Sequence, residues 1–350
     1  MNPVLLRVDA GGRRFAALVA GARDPLEPKT AAAVARYRPE QLAALVDAGR
    51  AGAPAAAVIG VAVETPVVAD LEAAAACGAN ALLIGLAPVG GRMQEAWRRT
   101  VLEALARGWE VWSGLHEELR LDAEFAGAAR SPEQLVDLRR LPGLPPVANR
   151  RVLQCPARVV LTVGSDCNVG KMTAAWEIVR ELTRRGRRAR FVATGQTGIL
   201  LSGWGLAVDR VPADFIAGAA EALVLEAARD AEWVIVEGQG SLLHPGYSAV
   251  TLGLLHGALP ESLVLCHHAG RSHIRHAGVP IPSAERLVDV YEEAAEWVRP
   301  ARVRGLAINT AGTDDAAARP ILAAWHRETG LPVAEVVREG AAALVDALET

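Results

Sequence analysis

Short apolar runs alternate with longer helix-compatible segments along the whole chain, and glycine, proline or small polar residues punctuate them. This alternation predicts strands joined by helical crossovers, hence α/β architecture on mostly parallel sheets. In the first half, residues 15–20, 42–46, 55–59, 81–85 and 109–113 read as strands, and 30–36, 71–77 and 94–107 as helices. Residues 141–147 then break all periodicity, because Pro142, Pro145 and Pro146 can continue neither a helix nor a central strand. The domain boundary is placed there, giving 1–147 and 148–350. In the second half, strands are expected at 158–163, 189–193, 233–236, 263–267 and 303–309, with an edge strand at 333–336. Helices fit 171–185, 213–228, 283–297 and 315–329. The expectation is two three-layer α/β domains.

The first strand of the second half runs directly into Gly164-Ser-Asp-Cys-Asn-Val-Gly170-Lys171-Met172-Thr173 and then into helical sequence. Strand, loop, lysine and helix in this order are what a phosphate-binding loop requires. Glycines let successive N–H groups turn inward at phosphate oxygens, and the helix adds its positive end. Gly164, Asp166, Asn168, Gly170, Lys171 and Thr173 are therefore candidate cofactor contacts, with Lys171 reaching the outer phosphates as a point charge. Two features depart from the common G-x-x-x-x-G-K-[ST] form. Five residues separate the glycines, a spacing similar to that of dethiobiotin synthetases, and Met172 stands where a magnesium-binding hydroxyl belongs. A thioether is a poor ligand for hard magnesium. Phosphate binding is thus better supported than nucleotide hydrolysis, and a pyrophosphate that is only held, as in coenzyme A, needs no such hydroxyl.

A second apolar run ends in Glu237-Gly-Gln-Gly-Ser241, an acid at a strand end beside a small-residue turn, similar to a Walker B segment. Glu237 suits a metal ligand or a general base, or else it caps the next turn. Five of the eight histidines fall between 244 and 273, in a patch that also carries Tyr247, Ser248 and Arg271. Clustered histidines suit acid–base chemistry, and His244 is preferred because it follows the Glu237 turn. No histidine spacing supports a metal site. Thr194-Gly-Gln196-Thr-Gly198 reads as a glycine-rich loop, with Gln196 as a candidate wall of the cofactor site.

Composition sharpens the first half. Of 37 cationic residues only Lys29 and Lys171 are lysines, so their positions carry weight against a background of arginine. Lys29 sits at an expected helix start, where a cation opposes the dipole unless it serves an anion. Arg36 follows on the same helix as a carboxylate clamp, and His116 lies in Ser113-Gly-Leu-His116, after another strand end. Asp47 stands where dinucleotide folds place a ribose-binding acid, but no Gly-x-Gly-x-x-Gly follows the first strand, so NAD ranks last. A net charge of −3 gives no footprint for nucleic acid. Four scattered cysteines indicate neither disulfide framework nor zinc, and no run reaches membrane-spanning length. A cytoplasmic protein is expected, with no nucleic-acid or membrane partner, and a homo-oligomer.

Several motifs in order carry a wider resemblance. Pro28-Lys-Thr, Gly85-Leu-Ala-Pro-Val-Gly-Gly91, Ser113-Gly-Leu-His116, the 164–173 loop, Thr194-Gly-Gln-Thr-Gly198, Glu237-Gly-Gln-Gly-Ser-Leu-Leu-His244-Pro and Ser248-Ala-Val-Thr-Leu-Gly-Leu-Leu-His256-Gly are similar to those of the DgcN-type D-glutamate N-acetyltransferase family. That resemblance implies a Rossmann-like N-terminal domain, a P-loop C-terminal domain, and acetyl transfer from acetyl-CoA to the amino group of D-glutamate or a similar amino acid. For that chemistry, residue type and placement offer Glu237 or His244 as the base, loop N–H groups as the oxyanion donors, and Arg271, Arg36, Lys29 or His116 as contacts to the substrate. The rival reading is an ATP-dependent amide ligase using magnesium held by Glu237 or Asp166. A non-catalytic nucleotide sensor is a third.

Overall fold

The computed structural model describes residues 4–25, 27–86, 88 and 90–350. The chain forms two compact units, one made of Leu6–Leu141 with Ile199–Arg210, the other chiefly of Pro142–Gly198 with Val211–Thr350.

The N-terminal unit is built on a six-stranded parallel sheet. Its strands lie in the order Val67–Val68, Leu42–Val46, Phe15–Leu18, Ala81–Ile84, Glu110–Ser113, Leu135–Asp137. This is the doubly wound order, whose direction reverses between Phe15–Leu18 and Ala81–Ile84. The central strands are buried on both faces, which is why they read as continuous apolar runs. Helix Glu95–Ala106 covers one face with Trp97, Val101 and Leu105, and the Trp97 indole is satisfied by the Ala20 carbonyl at 3.0 Å.

Two local expectations are corrected here. Residues 55–59 form a helix and not a strand, since Pro54 starts it, alanine favours it, and Gly60 at φ 66° ends it in the left-handed region. Of the stretch 194–198, read as loop, residues 196–198 open helix Gln196–Ser202. Beyond it the chain makes an excursion into the N-terminal unit, where Trp204–Gly205 pairs antiparallel with Leu6–Arg7 and Arg210 binds Glu118 at 3.0 Å.

The C-terminal unit has a second parallel sheet, ordered Val333–Ala334, Arg302–Asn309, Ser262–His268, Arg158–Gly164, Trp233–Val236, Ala189–Val192. The phosphate-loop strand Arg158–Gly164 is therefore central, between the strand that ends before Glu237 and the strand that ends at His268. Helix Lys171–Arg184 follows it and buries Ala174, Ala175, Ile178 and Leu182. Part of the histidine-bearing patch is helix Ser248–Ala258. Its Gly253 and Gly257 pack so closely on Ile216 and Ala217 that a Cβ would collide with them. Among the described residues no helix is long and apolar enough to cross a membrane.

Candidate functional site

The loop after Gly164 has the backbone of an anion cradle. Asn168 at φ 53° and Gly170 at φ 109° adopt left-handed conformations that turn neighbouring N–H groups to one side, ahead of the positive end of helix Lys171–Arg184. Lys171 is only 7% exposed, and its stem packs against Gly164 and Gly238, whose missing side chains make the room. A Cβ on Gly238 would strike the Thr162 carbonyl and stand 3.1 Å from the Lys171 Cδ. The ammonium donates to the Asp166 carbonyl at 2.7 Å. Burial holds it below the ordinary lysine value, against the opposing pull of Cys167, Cys266 and Asp166. Thr173 is half-buried in the first helical turn.

Asp166 and Arg271, placed by sequence in cofactor and substrate roles, meet each other. Asp166 is fully buried, and its Oδ2 accepts from Arg271 Nη1 at 3.0 Å and from the Arg275 backbone N–H at 2.8 Å. Arg271 Nη1 also donates to the Cys167 carbonyl at 2.5 Å. Arg271 is thus a brace for the loop. Three further contacts fix its base. Ser165 Oγ lies 2.8 Å from His267 Nδ1, Ser241 Oγ donates to the Ser165 carbonyl at 3.1 Å, and Tyr291 OH donates to the Gly164 carbonyl at 2.6 Å. The His267 ring stacks on Trp325, and burial foremost, then His268 and Arg271, hold its pKa down to about 4. None of these braces is visible as a motif, because the partners come from segments far from the loop in sequence.

Glu237 directly follows strand Trp233–Val236 beside the loop, 4% exposed, and accepts from the Thr194 backbone N–H at 3.0 Å. Thr194 Oγ1 donates back to the Glu237 carbonyl at 2.7 Å. A Cβ on Gly198 would press on the Glu237 carboxylate, so the glycine leaves that space open. Gln196 is buried at the start of the following helix. His244 is brought to the loop as well. One of its nitrogens, the Cys167 thiol and an Asp166 carboxylate oxygen lie within 4.8 Å of one another. His244 Nδ1 accepts from the Gly246 N–H at 3.1 Å, so the neutral ring carries its proton on Nε2. Of the other clustered histidines, His256 is tied to the Ala294 carbonyl and lies against Trp297.

In the N-terminal unit Lys29 is exposed at the first position of helix Lys29–Tyr37, which starts at the carboxyl edge of the sheet next to the point where strand order reverses. His116 shares its field. Burial foremost, then Arg139, with Arg210 and Lys29 adding to it, lowers the imidazole below its ordinary value, against Asp209. Asp209 forms an ion pair with Arg139 and lies 3.8 Å from His116 Nε2. Arg36 is not brought to this group, because it is exposed in the last turn of a helix that runs back toward the opposite edge of the sheet. Asp47 is spent locally on the Gly49 N–H and on Arg50 at 2.6 Å. Of the motif at residues 85–91, Ala87 and Val89 lie outside the described residues, as does Leu26 before Lys29.

The fold and this loop define a two-domain α/β protein, with a doubly wound sheet in one unit and a phosphate-loop sheet in the other. Comparison gives the family. Residues 146–345 match the model described as "Domain of unknown function (DUF1611_C) P-loop domain", and 48–141 the model described as "Domain of unknown function (DUF1611_N) Rossmann-like domain". The chain belongs to this family. It is 40% identical, over 79% of its length and 84% of the relative's, to a D-glutamate N-acetyltransferase of Tritonibacter scottomollicae. It is 36% identical, over 78% of its length and 82% of the relative's, to one of a Pseudoalteromonas species. A crystal structure of a DUF1611 family protein from Anabaena variabilis superposes with a TM-score of 0.91 at 37% identity, covering 97% of this chain and 99% of that one.

Proposed function

We propose that this protein transfers an acetyl group from acetyl-CoA to the amino group of D-glutamate in the cytoplasm, as a step in D-amino-acid catabolism. The observation that carries this reading is the similarity of most of the chain to two proteins named for that reaction. The loop supports it physically. It offers inward N–H groups and a buried ammonium for an anion, and Met172 withholds the hydroxyl that magnesium-nucleotide chemistry would use. Asp166 is committed to Arg271 and Arg275, which further weakens the magnesium reading.

Acetyl transfer needs an acceptor for the ammonium protons, donors for the carbonyl oxygen and cations for two carboxylates. Glu237 is the better base of the two candidates, because His244 with its proton on Nε2 acts as a donor. Within the N-terminal unit by itself, Lys29 and His116 form a cationic region that suits an anion. Acetyl-CoA is the donor, supplying the thioester, and the loop suits an anion held or formed beside it.

A panel of D- and L-amino acids with acetyl-CoA, read by thiol release and compared with phosphate release from ATP, tests the reading. D-Glutamate should give the fastest thiol release and ATP no phosphate. Absence of thiol release with every amino acid would sink the acetyltransferase, and phosphate release would favour the ligase.

A further inference from the structure

We propose that Cys167 is the nucleophile of the reaction, taking the acetyl group from the donor thioester and passing it to the amine. This inference rests on the acetyl-transfer reading above. It starts from the convergence of the Cys167 thiol, His244 and Asp166 within 4.8 Å at the apex of the loop.

A thiol attacks as its thiolate, and thiolates form where positive charge is close and the sulfur is partly open. Cys167 has both. It is half-buried, its backbone N–H is fixed on Asp166 Oδ1 at 2.6 Å, and its carbonyl is held by Arg271. The Lys171 ammonium interacts with it electrostatically, and the positive end of helix Lys171–Arg184 begins four residues on. The His244 ring, which lies with the thiol in this cluster, adds a polar partner beside the sulfur. The other cysteines lack this setting. Burial pushes Cys266 up to about 12 and raises Cys155, while Cys77 follows the C-terminal end of its helix, the negative end.

In the first half-reaction the Cys167 thiolate attacks the acetyl carbon, the bond to the coenzyme sulfur breaks, and coenzyme A leaves as a thiolate that takes a proton. In the second, the deprotonated amine attacks the Cys167 thioester, the amide forms and the Cys167 thiolate is restored. Acetyl-CoA and an ammonium thus become amide, coenzyme A thiol and one proton. The inward loop N–H groups then stabilise the oxyanion formed at the attacked carbonyl, so the nucleotide end of an extended donor is held outside this loop.

The test is mass spectrometry of the protein rapidly mixed with acetyl-CoA, or with S-acetyl-N-acetylcysteamine, which has no nucleotide, in the absence of amine. The expected result is one acetyl group on the Cys167 peptide, discharged by D-glutamate, and parallel double-reciprocal plots. Cys167→Ala should show no acetyl-protein and turnover at background, with a wild-type unfolding midpoint; Cys167→Ser, which keeps the shape, should also be severely impaired. Converging plots with no acetylated Cys167, acetylation at another cysteine, or wild-type turnover in both variants would overturn the proposal and leave direct acetyl transfer standing. If the wild-type protein released no thiol with any amine, the acetyl-transfer reading itself would fall and this step with it.

Discussion

Arg271 and Asp166 form a buried ion pair, 14% and 0% exposed at their side chains, in which one guanidinium nitrogen serves both the carboxylate and the next residue's carbonyl. The pair ties the segment after strand Ser262–His268 to the phosphate loop. Removing one partner strands the other as an uncompensated buried charge. Arg271→Ala should therefore destabilise the C-terminal unit by about 3–5 kcal/mol. Denaturant unfolding measures this, and a variant of wild-type stability would show that Asp166 finds another partner.

His267 gives the protein a pH dependence of known sign. Its pKa in the folded chain, about 4, lies below the ordinary 6.5, so between these values the unfolded chain binds a proton that the native one refuses. The contribution of His267 should be constant above 6.5 and be lost as pH drops toward 4, by about 3 kcal/mol in total. His267→Asn, which keeps a polar group near the Ser165 hydroxyl, should flatten that part of the curve in urea titrations run across pH.

Glu237→Gln keeps an oxygen to accept the Thr194 N–H but cannot take a proton. The variant should fold normally and lose roughly 10²–10⁴-fold in kcat. Steady-state rates with D-glutamate and the thermal midpoint separate the two effects; full activity would make Glu237 a structural cap.

Lys29 and Arg36 share one helix and make opposite predictions. Lys29→Ala should raise KM for the amino acid while stability changes little, because the side chain is exposed. Arg36→Ala, at the far end, should leave KM unchanged and alter stability by no more than about 0.5 kcal/mol. Equal kinetic effects would contradict the placement of the two ends.

Much of this was legible along the chain. Regularly spaced apolar runs mark the central strands, since a strand buried on both faces must be apolar throughout, as Trp233–Val236 and Ala81–Ile84 are. The edge strands Val67–Val68 and Leu135–Asp137 were not, because two or three residues carry no periodicity. The loop from Gly164 to Lys171 was legible because its parts are contiguous, and positive φ at Gly170 is a local demand that its residue type satisfies.

What the sequence by itself determined is the central strands of both sheets, the phosphate loop with its unusual Met172, and the isolation of two lysines among arginines. Only the tertiary structure decided which charges are occupied and which are available. Arg271 became a brace, Asp47 a turn cap and Arg36 an exposed helix end, while Cys167 came to lie beside His244, seventy-seven residues later in the chain. The physical reason is that a charged or reactive side chain is tuned by whatever lies within a few ångströms of it. In a parallel sheet those neighbours arrive from crossovers distant in sequence, and no spacing along the chain records them.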